Sequence, residues 1–306
     1  MLRPLAAAAL LTAATLTCQA GSLQLCSKPP EASASEQDRL IRFAAVIKAE
    51  LQGSGQALAL VARSGLDLAR FGLRYSHAGL SLKDNTNAPW SVRQLYYDCE
   101  AKKPRLYDEG LSGFLLGTHD PALGYASVVL LPAEAAEPLA RAGLDDARAR
   151  ALLGERYSAN AYAWSLQYQN CNQWLVELLA TAWGGSAEAE AATATATATA
   201  PRQQAQQWLE AQGYRPRAVD VGWRALMWLS QLIPWLHSDD HPAEDLAAKR
   251  YQVSLPDSIE SFVRERWPQA QRIEFCHNRE QIVIHRGWEP VAEGCKAGEQ
   301  DQVLPY

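Results

Sequence analysis

Cys171 opens the run Cys171-Asn172-Gln173-Trp174-Leu175-Val176-Glu177-Leu178-Leu179. Asn170 ahead of it, with Gln173 three positions later, is the polar signature of a capped helix start. The thiol therefore falls in a first turn, where free N–H groups and the positive end of the dipole favour the thiolate, the nucleophilic form of sulfur. Trp174, Leu175, Leu178 and Leu179 follow at helical spacing, so Cys171 heads the buried stripe of that helix. A sulfur nucleophile needs a base. Among six histidines, His77 lies inside Arg74-Tyr75-Ser76-His77-Ala78-Gly79-Leu80-Ser81-Leu82. Strand alternation there puts Tyr75, His77, Gly79 and Ser81 on one face, with Gly79 clearing space beside the ring. Imidazole next to a helix-start thiol is the Cys–His nucleophile arrangement. Each residue also has a plainer role, the cysteine as a small core side chain and the histidine as a satisfied strand residue.

The elements that must position them are legible in outline. Residues 36–52 carry Leu40, Phe43, Ala44, Ile47 and Leu51 at helical spacing. Residues 57–63 read as a buried strand, and 74–82 with 90–98 as a hairpin around the turn-rich Lys83–Pro89. Residues 125–132 are apolar throughout, which predicts a central strand, and 133–154 read as helical. The run 186–201 is a low-complexity Ala/Thr doublet repeat, read as a linker. Beyond it come a helix over 202–212, a Trp-rich apolar segment over 217–236, a helix over 257–267 and a terminal hairpin. The order predicts an α+β fold. Its divisions are 1–20 (leader), 21–184 (core), 185–201 (linker) and 202–306 (helices plus hairpin).

Composition removes several functions. With 29 Lys+Arg against 34 Asp+Glu and no long basic run, the chain does not suit phosphate neutralisation, so no nucleic-acid partner is expected. Apolar content of 48% in 306 residues supports a substantial core. There is no Gly-rich phosphate loop, no GxSxG elbow and no paired-carboxylate motif, so no cofactor is expected. His237 and His241 beside Asp239, Asp240 and Asp245 have a spacing that suits metal ligands. They follow Pro234 in a polar turn and read as a solvated loop, so no metal is expected. His277 and His285 flank the last hairpin and read as surface residues.

Residues 1–20 combine Arg3, an uncharged Ala/Leu/Thr run and the small-residue ending Cys18-Gln19-Ala20, the pattern of a secretory signal peptide cleaved after Ala20. A lipoprotein reading of Cys18 is weakened by the Thr15-Leu16-Thr17 before it. A periplasmic or secreted location follows, and with it an oxidising compartment. Of the remaining cysteines, Cys276 and Cys295 flank a strand and form a local pair; Cys26 and Cys99 form a second. Cys171 is left free.

His-x-Gly on a strand, followed about ninety residues later by Asn170-Cys171-Asn172-Gln173-Trp174 opening a helix, resembles the permuted papain-like hydrolases of the NlpC type, which include lecithin:retinol acyltransferase. More narrowly, the chain resembles a group of uncharacterised exported bacterial proteins defined as a domain of unknown function. The wider resemblance implies antiparallel strands packed on the Cys helix over roughly 36–183. It also implies a third polar residue on the next strand that orients the imidazole. Folding the hairpin about Asn85–Ala88 brings Arg93 or Gln94 opposite His77, and Gln94 is the choice for that role. The Cys171 N–H together with Tyr75, Gln169 or Asn170 is the candidate oxyanion hole.

The resemblance implies a cysteine hydrolase or acyltransferase acting on an amide, ester or thioester, with a cell-envelope peptide or acyl group as substrate. The alternative is a catalytically inactive papain-like binding or envelope-assembly module. Trp223, Trp228 and Trp235 admit two readings: core packing, or peripheral membrane contact through 217–236.

Overall fold

The computed structural model describes residue 26 and residues 32–118, 120–184, 200–230 and 232–306. The expected leader and the Ala/Thr run up to residue 199 lie outside these residues. Ala200 and Pro201 belong to the helix that follows.

Helix α1 (Ala34–Gly53) starts at a capping box between Ser33 and Glu36 and buries the expected stripe from Leu40 to Leu51. Strands β1 (Leu58–Arg63), β2 (His77–Leu82), β3 (Ser91–Asp98) and β4 (Lys103–Glu109) follow, then helix α2 (Leu111–Leu116) and strand β5 (Gly124–Leu130). Helices α3 (Ala133–Leu144) and α4 (Asp146–Ala151) occupy the stretch read as one helix. Asp145 separates them by accepting from the Ala147 and Arg148 N–H groups, which restarts the chain as a new helix. Helix α5 (Cys171–Gly184) carries the thiol. The remainder comprises α6 (Ala200–Ala211), β6 (Arg217–Asp220), α7 (Arg224–Ser230), α8 (Ala243–Ala247), β7 (Arg250–Val253), α9 (Pro256–Arg266), β8 (Gln271–His277), β9 (Gln281–Arg286) and β10 (Gln302–Pro305).

One eight-stranded sheet runs β10-β9-β8-β5-β1-β2-β3-β4, antiparallel throughout, and a small β6-β7 pair stands apart from it. The result is a mixed α+β architecture. One sheet face (Ala59, Val61, Val92, Val128, Phe275) packs under α1 and α2, and the other (Leu58, Leu60, Leu80, Leu82, Val129) under α3 and α5. Burial on both faces explains why β1 and β5 read as nearly continuous apolar runs rather than alternating ones. The C-terminal hairpin joins β5 directly, so the last thirty-odd residues complete this same sheet. Disulfides Cys276–Cys295 and Cys26–Cys99 form the two expected pairs, and Cys171 is free.

Two expectations are corrected. His277 is only 1% exposed and lies against Phe43, because the end of β8 turns it under α1 rather than to solvent. Of the three tryptophans, Trp235 is buried, whereas Trp223 and Trp228 are 73% and 66% exposed, because α7 buries mainly Met227 against Leu73, Tyr251 and Val253.

Candidate functional site

Helix α5 starts where Asn170 caps it: the Asn170 Oδ1 accepts the Gln173 N–H at 2.7 Å, and its Nδ2 donates to the Ser254 and Ala159 carbonyls at 3.3 and 3.4 Å. Trp174 locks the first turn from below by donating its indole N–H to the Ala149 carbonyl at 3.1 Å. Cys171 is 7% exposed. The N–H groups of Asn172 and of Cys171 itself, the Tyr157 hydroxyl and the Arg63 guanidinium all act on its sulfur. All four favour a thiolate. Burial outweighs them and pushes the thiol pKa up to about 12, so the resting group is a protonated thiol.

His77 begins β2. Its Nε2 hydrogen-bonds the Gln94 Oε1, and the Gln94 Nε2 donates to the Glu109 Oε2 at 2.8 Å. The carboxylate can only accept, which orients the amide so that its oxygen faces the ring. The ring proton is thereby assigned to Nε2, leaving Nδ1 as the basic nitrogen. The imidazole packs edge-on to Tyr96 at 5.3 Å and tilted against Phe114 at 5.8 Å. Burial, reinforced by the charge of Arg63 and opposed by the Gln94 bond, lowers its pKa to about 3, so it is neutral.

Gln94 reaches the ring diagonally. The register pairs Leu80 with Arg93 and Ser81 with Val92, which sets Gln94 across from Gly79, two residues along from His77. Gly79 serves this strand pairing: a Cβ there would stand 2.5 Å from Val92 Cγ1 and 3.0 Å from the Arg93 carbonyl oxygen. Arg93 points to the opposite face and pairs with Asp108 at 2.6 Å.

The start of α5 is tied to the start of β2, since the Asn172 Nδ2 donates to the Ser76 carbonyl at 3.1 Å. Cys171 sits in the layer under α5 with Ala62, Ala78 and Tyr157, whereas His77 points across the sheet end toward Phe114 of α2. Among the described residues, no hydrogen bond joins the sulfur to the imidazole. Arg63 links the two electrostatically, because its charge acts on both groups. It is the direct cross-strand partner of His77.

The three side chains expected to supply an oxyanion donor have other partners. The Tyr75 hydroxyl donates to the Glu274 carboxylate inside a buried network with Arg74 and Arg272. Gln169 accepts the Gly154 N–H at 2.7 Å and donates to Leu152 O and to Glu177 at 2.8 and 2.7 Å. Asn170 is engaged in the cap. The groups left acting on the sulfur are the Cys171 and Asn172 N–H groups, the Tyr157 hydroxyl and the charge of Arg63.

Arg63, Tyr157, Tyr96 and Glu109 were not foreseen. The signal for Arg63 is a charge ending an otherwise apolar strand, Leu58–Arg63; a buried arginine is rare unless something needs it. The second histidine cluster, read as a solvated loop, is instead largely buried: His241 and Asp245 are 7% and 4% exposed, because His241 hydrogen-bonds the Asn160 carbonyl at 2.7 Å and packs against Tyr162 and Tyr251, while His237 stacks on Tyr168 at 4.5 Å. No group of three potential metal ligands is found among the described residues. A polar groove of about 480 Å³ lined by Glu50, Gln56, Gln271 and Arg286 shares no residue with the Cys171 cluster.

An antiparallel sheet flanked by helices, with a helix-start thiol and a clamped neutral imidazole gathered at one end, defines a mixed α+β protein with a buried Cys/His/Arg cluster. The sequence model of DUF2145, described as an uncharacterized protein conserved in bacteria, matches residues 50–263, and the chain belongs to that family. The matched stretch holds Arg63, His77, Gln94, Glu109, Tyr157 and Cys171. No curated protein and no solved structure matches the chain. The two disulfides fit a non-cytoplasmic location, and among the described residues no helix is long and apolar enough to cross a membrane.

Proposed function

We propose that the chain is an exported thiol hydrolase or acyltransferase of the permuted papain-like, NlpC-type class, acting in the periplasm or outside the cell. The observation that carries this reading is the clamp on His77: Gln94 and Glu109 hold the ring with its Nε2 proton fixed and Nδ1 basic, at the same sheet end as the only cysteine not in a disulfide among the described residues. Cys171 Sγ attacks the carbonyl carbon of an ester, thioester or amide while His77 Nδ1 takes the thiol proton. The carbon–leaving-group bond then breaks, and the leaving group departs with the proton from His77. A thioester on Cys171 remains. Water or an acceptor nucleophile, deprotonated by His77, attacks that thioester; the C–S bond breaks and the thiol is restored. The N–H groups at the start of α5 are the oxyanion donors. A cell-envelope peptide or acyl chain is the substrate class, and exposed Trp223 and Trp228 favour peripheral contact with a membrane through 217–236.

Sulfur and imidazole are unbonded at rest, so the reaction requires a movement that brings Sγ to Nδ1; catalytic bonds in empty sites are often long. The same observation, with the thiol pushed up to about 12, favours the second reading of a scaffold without turnover. A nitrophenyl acyl ester separates the two. The hydrolase releases nitrophenol and shows an acyl adduct on Cys171 by intact mass, absent in Cys171→Ala and in His77→Ala. A wild-type protein that never gains the adduct is the scaffold.

A further inference from the structure

Arg63 is 5% exposed, yet among the described residues it makes no ion pair. Its Nη1 donates to the Gly117 carbonyl, its guanidinium lies 5.3 Å over the Phe114 ring, and its Nε is buried without any hydrogen-bond partner. Tyr96 is its other polar neighbour. The nearest carboxylate acting on it, Glu109, is bound to Gln94. Burying a cation without a paired anion is costly, and proteins keep such a charge where something else completes it.

The surroundings are built for that charge. A Cβ on Gly65 would meet Nη1 at 2.6 Å and one on Gly117 would meet Nη2 at 2.5 Å, so two glycines make room for the guanidinium. Backbone contacts also tie it to the thiol: the Ser76 N–H donates to the Arg63 carbonyl at 3.2 Å, and the Ser76 carbonyl accepts from Asn172, the residue after Cys171.

We propose that Arg63 and the N-terminus of α5 form an anion subsite beside Cys171, which selects acyl or peptidyl substrates carrying a free carboxylate next to the bond that is cleaved. The proposal rests on the thiol-hydrolase reading and deepens it. With Nη1 held by Gly117, the unpartnered Nε is the donor left for a carboxylate, and the Tyr96 hydroxyl beside the guanidinium is a second polar group for it. The α5 N–H groups add positive potential from the other side.

Two alkylating agents that differ only in charge test this on the intact, disulfide-bonded protein: iodoacetate and iodoacetamide. An ordinary thiol reacts faster with the neutral amide. With the subsite, Cys171 reacts faster with iodoacetate, by about tenfold for one favourable charge contact. Arg63→Gln reverses that preference, and Arg63→Lys keeps it in part. If Arg63→Gln does not fold, the wild-type rate ratio decides alone. A wild-type preference for iodoacetamide, with labelling still lost in His77→Ala, overturns the subsite and leaves the hydrolase reading intact. An iodoacetate preference that needs Arg63 but not His77 keeps the subsite and removes the dyad. Failure of both reagents to label Cys171 overturns both.

Discussion

At the scale of single residues, the site depends on which proton sits where. The Gln94 amide cannot serve His77 and Glu109 in both orientations, so the carboxylate at its far end sets the tautomer of the imidazole at its near end. Glu109→Gln removes that constraint. The expected outcome is a mixture of His77 tautomers by ¹⁵N NMR, where the wild type shows the Nε2–H form alone, with acylation of Cys171 slowed about tenfold as a general-base effect. Gln94→Leu goes further, since it strands the buried ring N–H of His77, while the exposed Glu109 carboxylate turns to water. It should cost about 2–3 kcal/mol in a denaturant titration, the usual penalty for orphaned buried polar groups. Glu109 eluded the sequence because nothing in Lys103–Glu109 announces a strand paired in that register with β3. Gln94, on a clearly alternating strand next to His77, did not.

At the scale of elements, the start of α5 carries more of the fold than its capping role alone explains. Asn170 makes one cap bond and two bonds to carbonyls that precede and follow α5 in the chain, Ala159 and Ser254. Asn170→Ala should therefore destabilise by about 2 kcal/mol, the upper end for an N-cap, while Asn170→Asp keeps the cap acceptor but sets an oxygen against the Ala159 and Ser254 carbonyls, and should cost no less. The measurement is the urea midpoint at unchanged slope. Helix α5 was readable from its own letters because cap, stripe and first-turn thiol all lie within ten residues. Its relation to β2 was not readable. Strand alternation set His77 and Gly79 on one face, and the helix packs mainly on the other face, against Ala78 and Leu80, so sulfur and ring start from opposite faces of β2. The oxyanion expectations for Tyr75 and Gln169 failed for a similar reason: their partners, Glu274 and Glu177, are chosen by tertiary packing.

At the scale of the whole molecule, the joining of the last hairpin to β5 makes one sheet from both ends of the chain, and a disulfide ties Cys276 of β8 to the loop that follows β9. Pairing of Cys276 with Cys295 and Cys26 with Cys99 was legible from position and parity alone. The place of β8 in the sheet was not, because antiparallel partners far apart in sequence leave no local mark. Two of the three buried histidines among the described residues, those with the largest downward shifts, then set the acid limit of this fold. His77 is lowered to about 3 by burial and Arg63, and His277 to about 4 by burial. Between those values and their unfolded value near 6.5, the unfolded chain binds protons that the folded chain refuses, so stability falls as pH falls through that window. Each contributes a slope of up to about 1.4 kcal/mol per pH unit. Above about pH 7 both are neutral in either state, and neither contributes a slope. The melting temperature should drop steeply below about pH 6. His277→Gln, if it folds, should flatten that fall, and an unchanged slope would contradict the assignment.

The central claim, that His77 takes the proton of Cys171, is tested most directly by the rate of iodoacetamide labelling at Cys171 against pH. A neutral imidazole already in its basic form at about pH 5 gives a rate that is nearly level from there to about pH 9. A buried thiol acting unaided, with its pKa pushed up to about 12, gives one that climbs about tenfold per pH unit. The account predicts a level profile for the wild type and a climbing one for His77→Ala. A wild-type profile that climbs and superimposes on that of His77→Ala would contradict it.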